Sequence, residues 1–284
     1  MLTMLIKHEF KSTWKIMGLI CAVLVITGII SGIFLSFVPL NADIENDKAA
    51  AALGFSLTFG FITYLIIVIS LSVLSTGYLV IHYYRSLYTS QGYLSFTLPA
   101  SIPEVISSRM IVGCIWSLIS GLCLSICIAL PILGLSKASN MMLYDFFYEM
   151  ADVFELTNAP FLIVEYIILA VFSTVSTLFM YYFCISVGQL WQEHKIVGAI
   201  ICYFATNIVL KIFSAIASIS TGSSTGSLGF GMFTIEKYID ASGEIMMQDF
   251  FNATFISGII YNIITIIIFV LVSIYISNKK LNLD

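Results

Sequence analysis

The chain has 284 residues, 60% of them hydrophobic and only 10% charged, with a mean hydropathy of +1.03. A soluble domain carries about 25% charged residues, so this composition excludes a soluble core and points to a polytopic membrane protein. The formal net charge of −4 gives no reason to expect nucleic acid as a partner.

Residues 1–15 open the chain. On a helical wheel Leu2, Leu5, Ile6 and Phe10 fall on one face, and Lys7, Lys11 and Lys15 form a stripe on the other. That pattern predicts an elbow helix lying in the membrane interface with its lysines at the headgroups. Glu9 falls within the apolar face and calls for a partner, either a lysine or another protein. The apolar run that follows, Ile16–Val38, is too long for a signal-peptide core and lacks an A-x-A-like cleavage site, so it reads as a retained first span.

Uncharged stretches then divide the sequence. Six are long enough for the roughly 20 apolar residues that cross a bilayer as helix: about 16–38, 55–82, 105–134, 161–189, 196–218 and 254–276. Backbone polar groups in lipid must be satisfied within their own segment, which favours helices. The ~10-residue alternating segments of a β-barrel are missing. The expected fold is all-α, one transmembrane domain over residues 1–284. With six spans the two termini share a side with the loops after spans two and four. That side holds Lys7, Lys11, Lys15, Arg85, Arg109, Lys195, Lys279 and Lys280; the other holds only Lys48, Lys137 and Lys237, with most of the acids. The Lys/Arg bias places both termini in the cytoplasm.

The stretch Tyr83–Arg109, YYRSLYTSQGYLSFTLPASIPEVISSR, is the most informative break between spans. Tyr83, Tyr84 and Tyr88 are amphipathic rings suited to the interface. His82, at the end of span two, reads as a hydrated interfacial residue. Gly92 suits a turn, and Leu94, Phe96 and Leu98 alternate with Tyr93, Ser95 and Thr97 as in a short extended piece. Ser101-Ile102-Pro103-Glu104 is a capping box that launches span three near Ile102, with Arg109 placed to snorkel to the headgroups.

Further along, Asp145, Glu149, Asp152 and Glu155 form the solvated face of a short external helix; they lack the spacing of a calcium loop. The turn Gln192–Lys195 joins spans four and five. Lys211 lies inside span five, roughly 12 Å from its outer end at 1.5 Å per residue. An ionisable residue at that depth is a candidate functional site. It can snorkel outward, pair with Glu165 near the outer end of span four, or line a substrate path. No polar stripe is evident down the spans. The Gly- and Ser-rich Thr221–Gly231 carries no phosphate-loop lysine, and Gly229–Ile239 is apolar enough to dip into the outer leaflet. The six cysteines (Cys21, Cys114, Cys123, Cys127, Cys184, Cys202) all fall in apolar runs and read as small hydrophobes. No G-x-x-x-x-G-K-[ST], H-E-x-x-H or G-x-S-x-G occurs, so no nucleotide-hydrolysing or other enzymatic site, cofactor or metal centre is expected.

The opening LIKHEFKST and the loop GYLSFTLP within Tyr83–Arg109 resemble the permease subunits of bacterial ABC exporters of the six-span class, in particular a Firmicute group with an L-x-K-x-E-F-K start. Ser90 and Gln91 stand where that group has acids, and Arg109 where it has a lysine. The resemblance implies an elbow helix with Lys7, Glu9, Phe10 and Lys11. It implies an ATPase-coupling surface made of Arg85, Tyr88, Gln91, Gly92 and Tyr93, with Glu193, His194 and Lys195 as a smaller second contact. It also implies a separate ABC ATPase, a second permease subunit (identical or sister), and export of a hydrophobic or amphipathic peptide, drug or lipid across the bacterial cell membrane. The rival expectation is a non-transporting membrane immunity or sensor-associated subunit.

Overall fold

The structure is a computed structural model, and it describes residues 2–37, 47–89, 102–138, 159–191, 194–220 and 247–279. Six helices account for them: α1 Leu2–Ser36, α2 Asp47–Tyr88, α3 Ile102–Ala138, α4 Ala159–Gly188, α5 Lys195–Ser220 and α6 Met247–Lys279. Each carries an apolar stretch long enough to cross a membrane, and no strand occurs among the described residues. The chain is a multi-pass, all-helical membrane protein. The apolar run rather than intrinsic propensity decides helix formation here, because a backbone in lipid has no partner but itself. The hydroxyls within the spans obey the same rule and bond back to their own helix: Ser31 Oγ donates to the Gly28 carbonyl at 2.9 Å and Thr174 Oγ1 to that of Ala170 at 2.8 Å.

Residues 2–15 are not a separate elbow. They are the first turns of α1, which runs unbroken from Leu2 to Ser36. The predicted faces survive within that helix: Lys7, Lys11 and Lys15 are exposed, while Leu5, Ile6 and Phe10 pack on the bundle core. The continuity follows from Thr13 and Met17, which are fully buried and tie the basic segment and the apolar run to one neighbour.

That neighbour is α3. Partners across the α1–α3 seam keep a sequence separation of 100 to 103 residues, so the two helices run parallel. Helices α4 and α6 form a second parallel pair with a separation of 89. Helix α5 packs chiefly on α4, and α2 lies across α3 with smaller contacts to α1 and α4. Contacts between α3 and α4 join the halves, with Tyr182 of α4 against Gly113 of α3.

Small residues let the α1–α3 backbones meet. Carbons added as Cβ at Gly28 and Gly32 would lie 2.8 Å from Cys127 Cα and 2.8 Å from the Leu130 carbonyl oxygen, and one at Gly134 would meet the Gly32 carbonyl. Gly28-x-x-x-Gly32 is thus a small-residue motif of the kind that lets membrane helices pack closely. A second device sits beside it. Pro131 lies inside α3 and has no N–H to give the Cys127 carbonyl four residues back. The Tyr64 hydroxyl of α2 donates to that carbonyl at 2.6 Å. Elsewhere the large apolar side chains face outward, among them Ile26, Ile30 and Ile33 of α1 and Phe59, Ile62 and Ile66 of α2. This is the expected arrangement where lipid rather than water surrounds the bundle.

Candidate functional site

Two polar assemblies stand out in this apolar bundle. One is a charged junction at the end that carries the N-terminus. Glu9 of α1 accepts from Arg109 Nε of α3 at 3.1 Å through one carboxylate oxygen. Its other oxygen lies 3.1 Å from His82 Nε2 of α2. A carboxylate only accepts, so Nε2 carries the proton. Glu9 precedes the apolar run that begins at Ile16. Burial works against its charge, but hydrogen bonds from His82 and the charge and hydrogen bond of Arg109 outweigh it and hold the carboxyl below its ordinary value. Glu9 is therefore paired within the chain, with Arg109 and His82 and not with a lysine. Arg109 is buried and does not snorkel, because Glu9 supplies a closer anion than the headgroups. His82 bonds to Glu9 and stacks on Tyr78 instead of being simply hydrated.

Just beyond lies an aromatic seam. Phe10 stacks on Trp116 with ring centroids 4.8 Å apart, and Trp116 Nε1 donates to Thr13 Oγ1 at 2.8 Å. Tyr83 is not an interfacial ring: it is 1% exposed and stacks on Tyr182 of α4 at 4.0 Å. Tyr88 reaches Ser186 of α4 at 3.1 Å. These contacts fix the end of α2 against α4, so the loop that follows Tyr88 starts from a rigid point.

The predicted coupling residues divide accordingly. Arg85, at the last turn of α2, is exposed, while Tyr88 turns its ring into the bundle. His194 and Lys195 open α5 at the same end, where the His194 carbonyl accepts from Gly198 N–H at 2.9 Å. A groove of about 360 Å³ runs between α2 and the α4–α5 hairpin, bordered by Tyr84, Gln189 and Lys195. The structure thus brings Arg85, Tyr88, His194 and Lys195 to one end of the bundle. Gln91, Gly92, Tyr93 and Glu193 lie outside the described residues, as do Ser101 of the capping box, the extended piece 93–98, the acidic segment 145–155 and residues 221–239.

The second assembly lies in the middle of the apolar helices. A cavity of about 400 Å³ opens between α4, α5 and α6. Leu169, Met180, Leu210 and Phe269 supply its apolar walls; Ser173, Ser176, Thr177, Asn207, Lys211, Tyr261, Asn262 and Thr265 supply polar ones. Ser176 and Thr265 hydroxyls meet at 2.9 Å. The amide nitrogens of Asn207 and Asn262 donate to the carbonyls of Tyr203 and Gly258 on their own helices, each at 2.8 Å, which leaves their Oδ1 atoms as acceptors. The spans therefore do carry a concentration of polar side chains. Lys211 and Glu165 do not pair: no ion pair links them among the described residues, and Glu165 is buried with Oε2 lacking a hydrogen-bond partner.

Sequence reasoning missed the hydroxyl and amide companions of Lys211. Their signal is helical spacing: Ser173 with Thr177 on α4, Asn207 with Lys211 on α5, and Tyr261, Asn262 and Thr265 on α6. All six cysteines are free, and no group of His, Cys, Asp or Glu suited to a metal ion occurs among the described residues. Compared with protein-family profiles, curated proteins and solved structures, the chain matches none.

Proposed function

We propose that this chain is the membrane-spanning permease subunit of an ABC exporter in a bacterial cell membrane, with both termini cytoplasmic. The observation that carries the transport part is the polar cavity between α4, α5 and α6. A bundle that only anchors itself in lipid gains nothing from gathering hydroxyls, amides and an ammonium at mid-depth, where each polar group is costly. The coupling part rests on the resemblance within Tyr83–Arg109 and on the position of Arg85, His194 and Lys195 at one end beside a groove. A separate ATPase docking there would push on α2 and on the α4–α5 hairpin. Helices α2 and α5 are the least buried of the six, so they move against α1–α3 and α4–α6 at the smallest loss of packing. A second permease chain, identical or sister, would close the open side of the cavity into a path.

The test is purification of the tagged full chain in mild detergent, identification of the proteins that come with it by mass spectrometry, and reconstitution of the assembly. The expected result is a Walker-motif ATPase in the assembly and ATP-dependent movement of an amphipathic cargo. A chain that purifies with no ATPase, and a neighbouring reading frame that encodes none, would support the immunity or sensor-associated role instead.

A further inference from the structure

The cavity between α4, α5 and α6 has one feature that its size and hydroxyls do not explain. Among the described residues lining it Lys211 is the only cation, and none of them is a carboxylate. Lys211 makes no ion pair with Glu165 or with any other described residue. Asn207, one helical turn before it, turns its amide nitrogen to its own helix. An ammonium held at this depth without an anion is expensive, by about 2.5–3.5 kcal/mol on insertion scales. Lys211 is exposed where the cavity opens, so its ammonium is within reach of a molecule that enters there. Among the described residues the cavity thus offers an ammonium with no anion of its own.

We propose that Lys211 binds the anionic headgroup, phosphate or carboxylate, of an amphipathic molecule, with its apolar tail lying along Leu169, Leu210 and Phe269. The Thr177 hydroxyl and the Tyr261 ring border the same space and suit the remaining headgroup oxygens. None of the described wall residues offers an anion to a cationic headgroup, so the site discriminates by charge. A volume of about 400 Å³ lies within the usual range of small-molecule sites and is too small for a folded peptide. This inference rests on the transport reading only in taking the bound molecule as cargo; the site itself stands without it.

The experiment uses the full chain alone, without ATPase or ATP, in phosphatidylcholine nanodiscs. Melting temperature is followed against concentration of dodecyl phosphate and, separately, of dodecyltrimethylammonium, for the native chain, Lys211→Arg and Lys211→Gln. A ligand that binds only the folded state raises the melting temperature with its concentration. The expected result is a rise with dodecyl phosphate but not with the cation. Lys211→Arg should retain it, and Lys211→Gln should weaken the apparent affinity about tenfold or more, as loss of a charge-assisted hydrogen bond does. Equal responses to anion and cation, or an unchanged affinity in Lys211→Gln, overturn the proposal. A second arm adds phosphatidylglycerol to the discs. If it stabilises the chain through Lys211 and blocks dodecyl phosphate, the anion is a membrane lipid; if it does neither while dodecyl phosphate still binds, the anion is a free amphiphile. Failure to find an ATPase would remove the transport reading and leave these binding results standing.

Discussion

The Tyr64 hydroxyl donates at 2.6 Å to the backbone carbonyl of Cys127, the one carbonyl that Pro131 deprives of its helical partner. A proline in a span is tolerable where a neighbour replaces the lost bond, and here the neighbour is a side chain on another helix. Tyr64 therefore ties α2 to the weakest point of α3.

Replacing Tyr64 by Phe should lower stability by about 1–3 kcal/mol, the usual cost of a buried unsatisfied group. Replacing Pro131 by Ala restores an N–H for Cys127, so Tyr64→Phe should cost much less in that background. Thermal unfolding of the four proteins in detergent reads this as a double-mutant cycle; equal costs in both backgrounds would disprove the link.

The glycines of α1 should not respond alike. A side chain at Gly28 or Gly32 meets α3 main chain at 2.8 Å, whereas Gly18 on the same helix has open space. Backbone cannot yield as a side-chain tip does, so Gly32→Leu should destabilise by more than the ~1–3 kcal/mol of ordinary overpacking, and Gly18→Leu should be near neutral. Melting curves that fall equally for both would contradict the α1–α3 packing.

Removing the charge of Glu9 leaves Arg109 buried beside a neutral amide. Breaking one side of a buried pair costs about 3–5 kcal/mol, and the partial exposure of Glu9 puts Glu9→Gln at the low end, about 3 kcal/mol. The pH dependence has a definite sign. The folded-state carboxyl titrates below its unfolded value, so its stabilising contribution is complete above that value and is lost as pH falls through the folded one. The gap in melting temperature between native chain and Glu9→Gln should be constant near neutral pH and should close below about pH 4.5. A gap that stays constant into acid would show that Glu9 acts by packing and not by charge.

Charge reversal at Arg85 tests the coupling surface. Arg85 is exposed and sits at the end of a helix fixed by Tyr83 and Tyr88, so Arg85→Glu should leave the fold intact. In the reconstituted assembly it should lower ATP-driven transport about tenfold, the worth of one charge-assisted contact, while ATP hydrolysis continues. Normal transport in this variant would move the docking site elsewhere.

The spans were legible because absence of charge over 20 residues has one physical meaning. Their neighbours were not, because large apolar residues surround every span and the few polar positions at helical spacing do not say which helix they face. Glu9 and Arg109 could each be flagged as needing an opposite charge, but nothing in a single sequence pairs residues 100 apart. The Gly28-x-x-x-Gly32 spacing and the proline at 131 were readable signals of close approach and of a missing donor, although their partners were not. The cavity was harder still. Ser, Thr and Asn are each unremarkable in a span where they bond to their own helix, and only the packing of three helices brings Thr177, Asn207, Tyr261 and Asn262 to the same cavity as Lys211.

The parallel pairing of α1 with α3 also sets a schedule for biosynthesis. At about 5–20 residues per second, the ribosome takes on the order of 5–20 s to make the 100 residues that separate Glu9 from Arg109. Throughout that interval α1 sits in the membrane with its glycine face bare and its carboxylate without the guanidinium. Helix α2 arrives first, and its His82 gives Glu9 a provisional proton donor. The nascent chain is thus most exposed to misassembly before α3 is inserted, and a chaperone or insertase that shields α1 would act in that window.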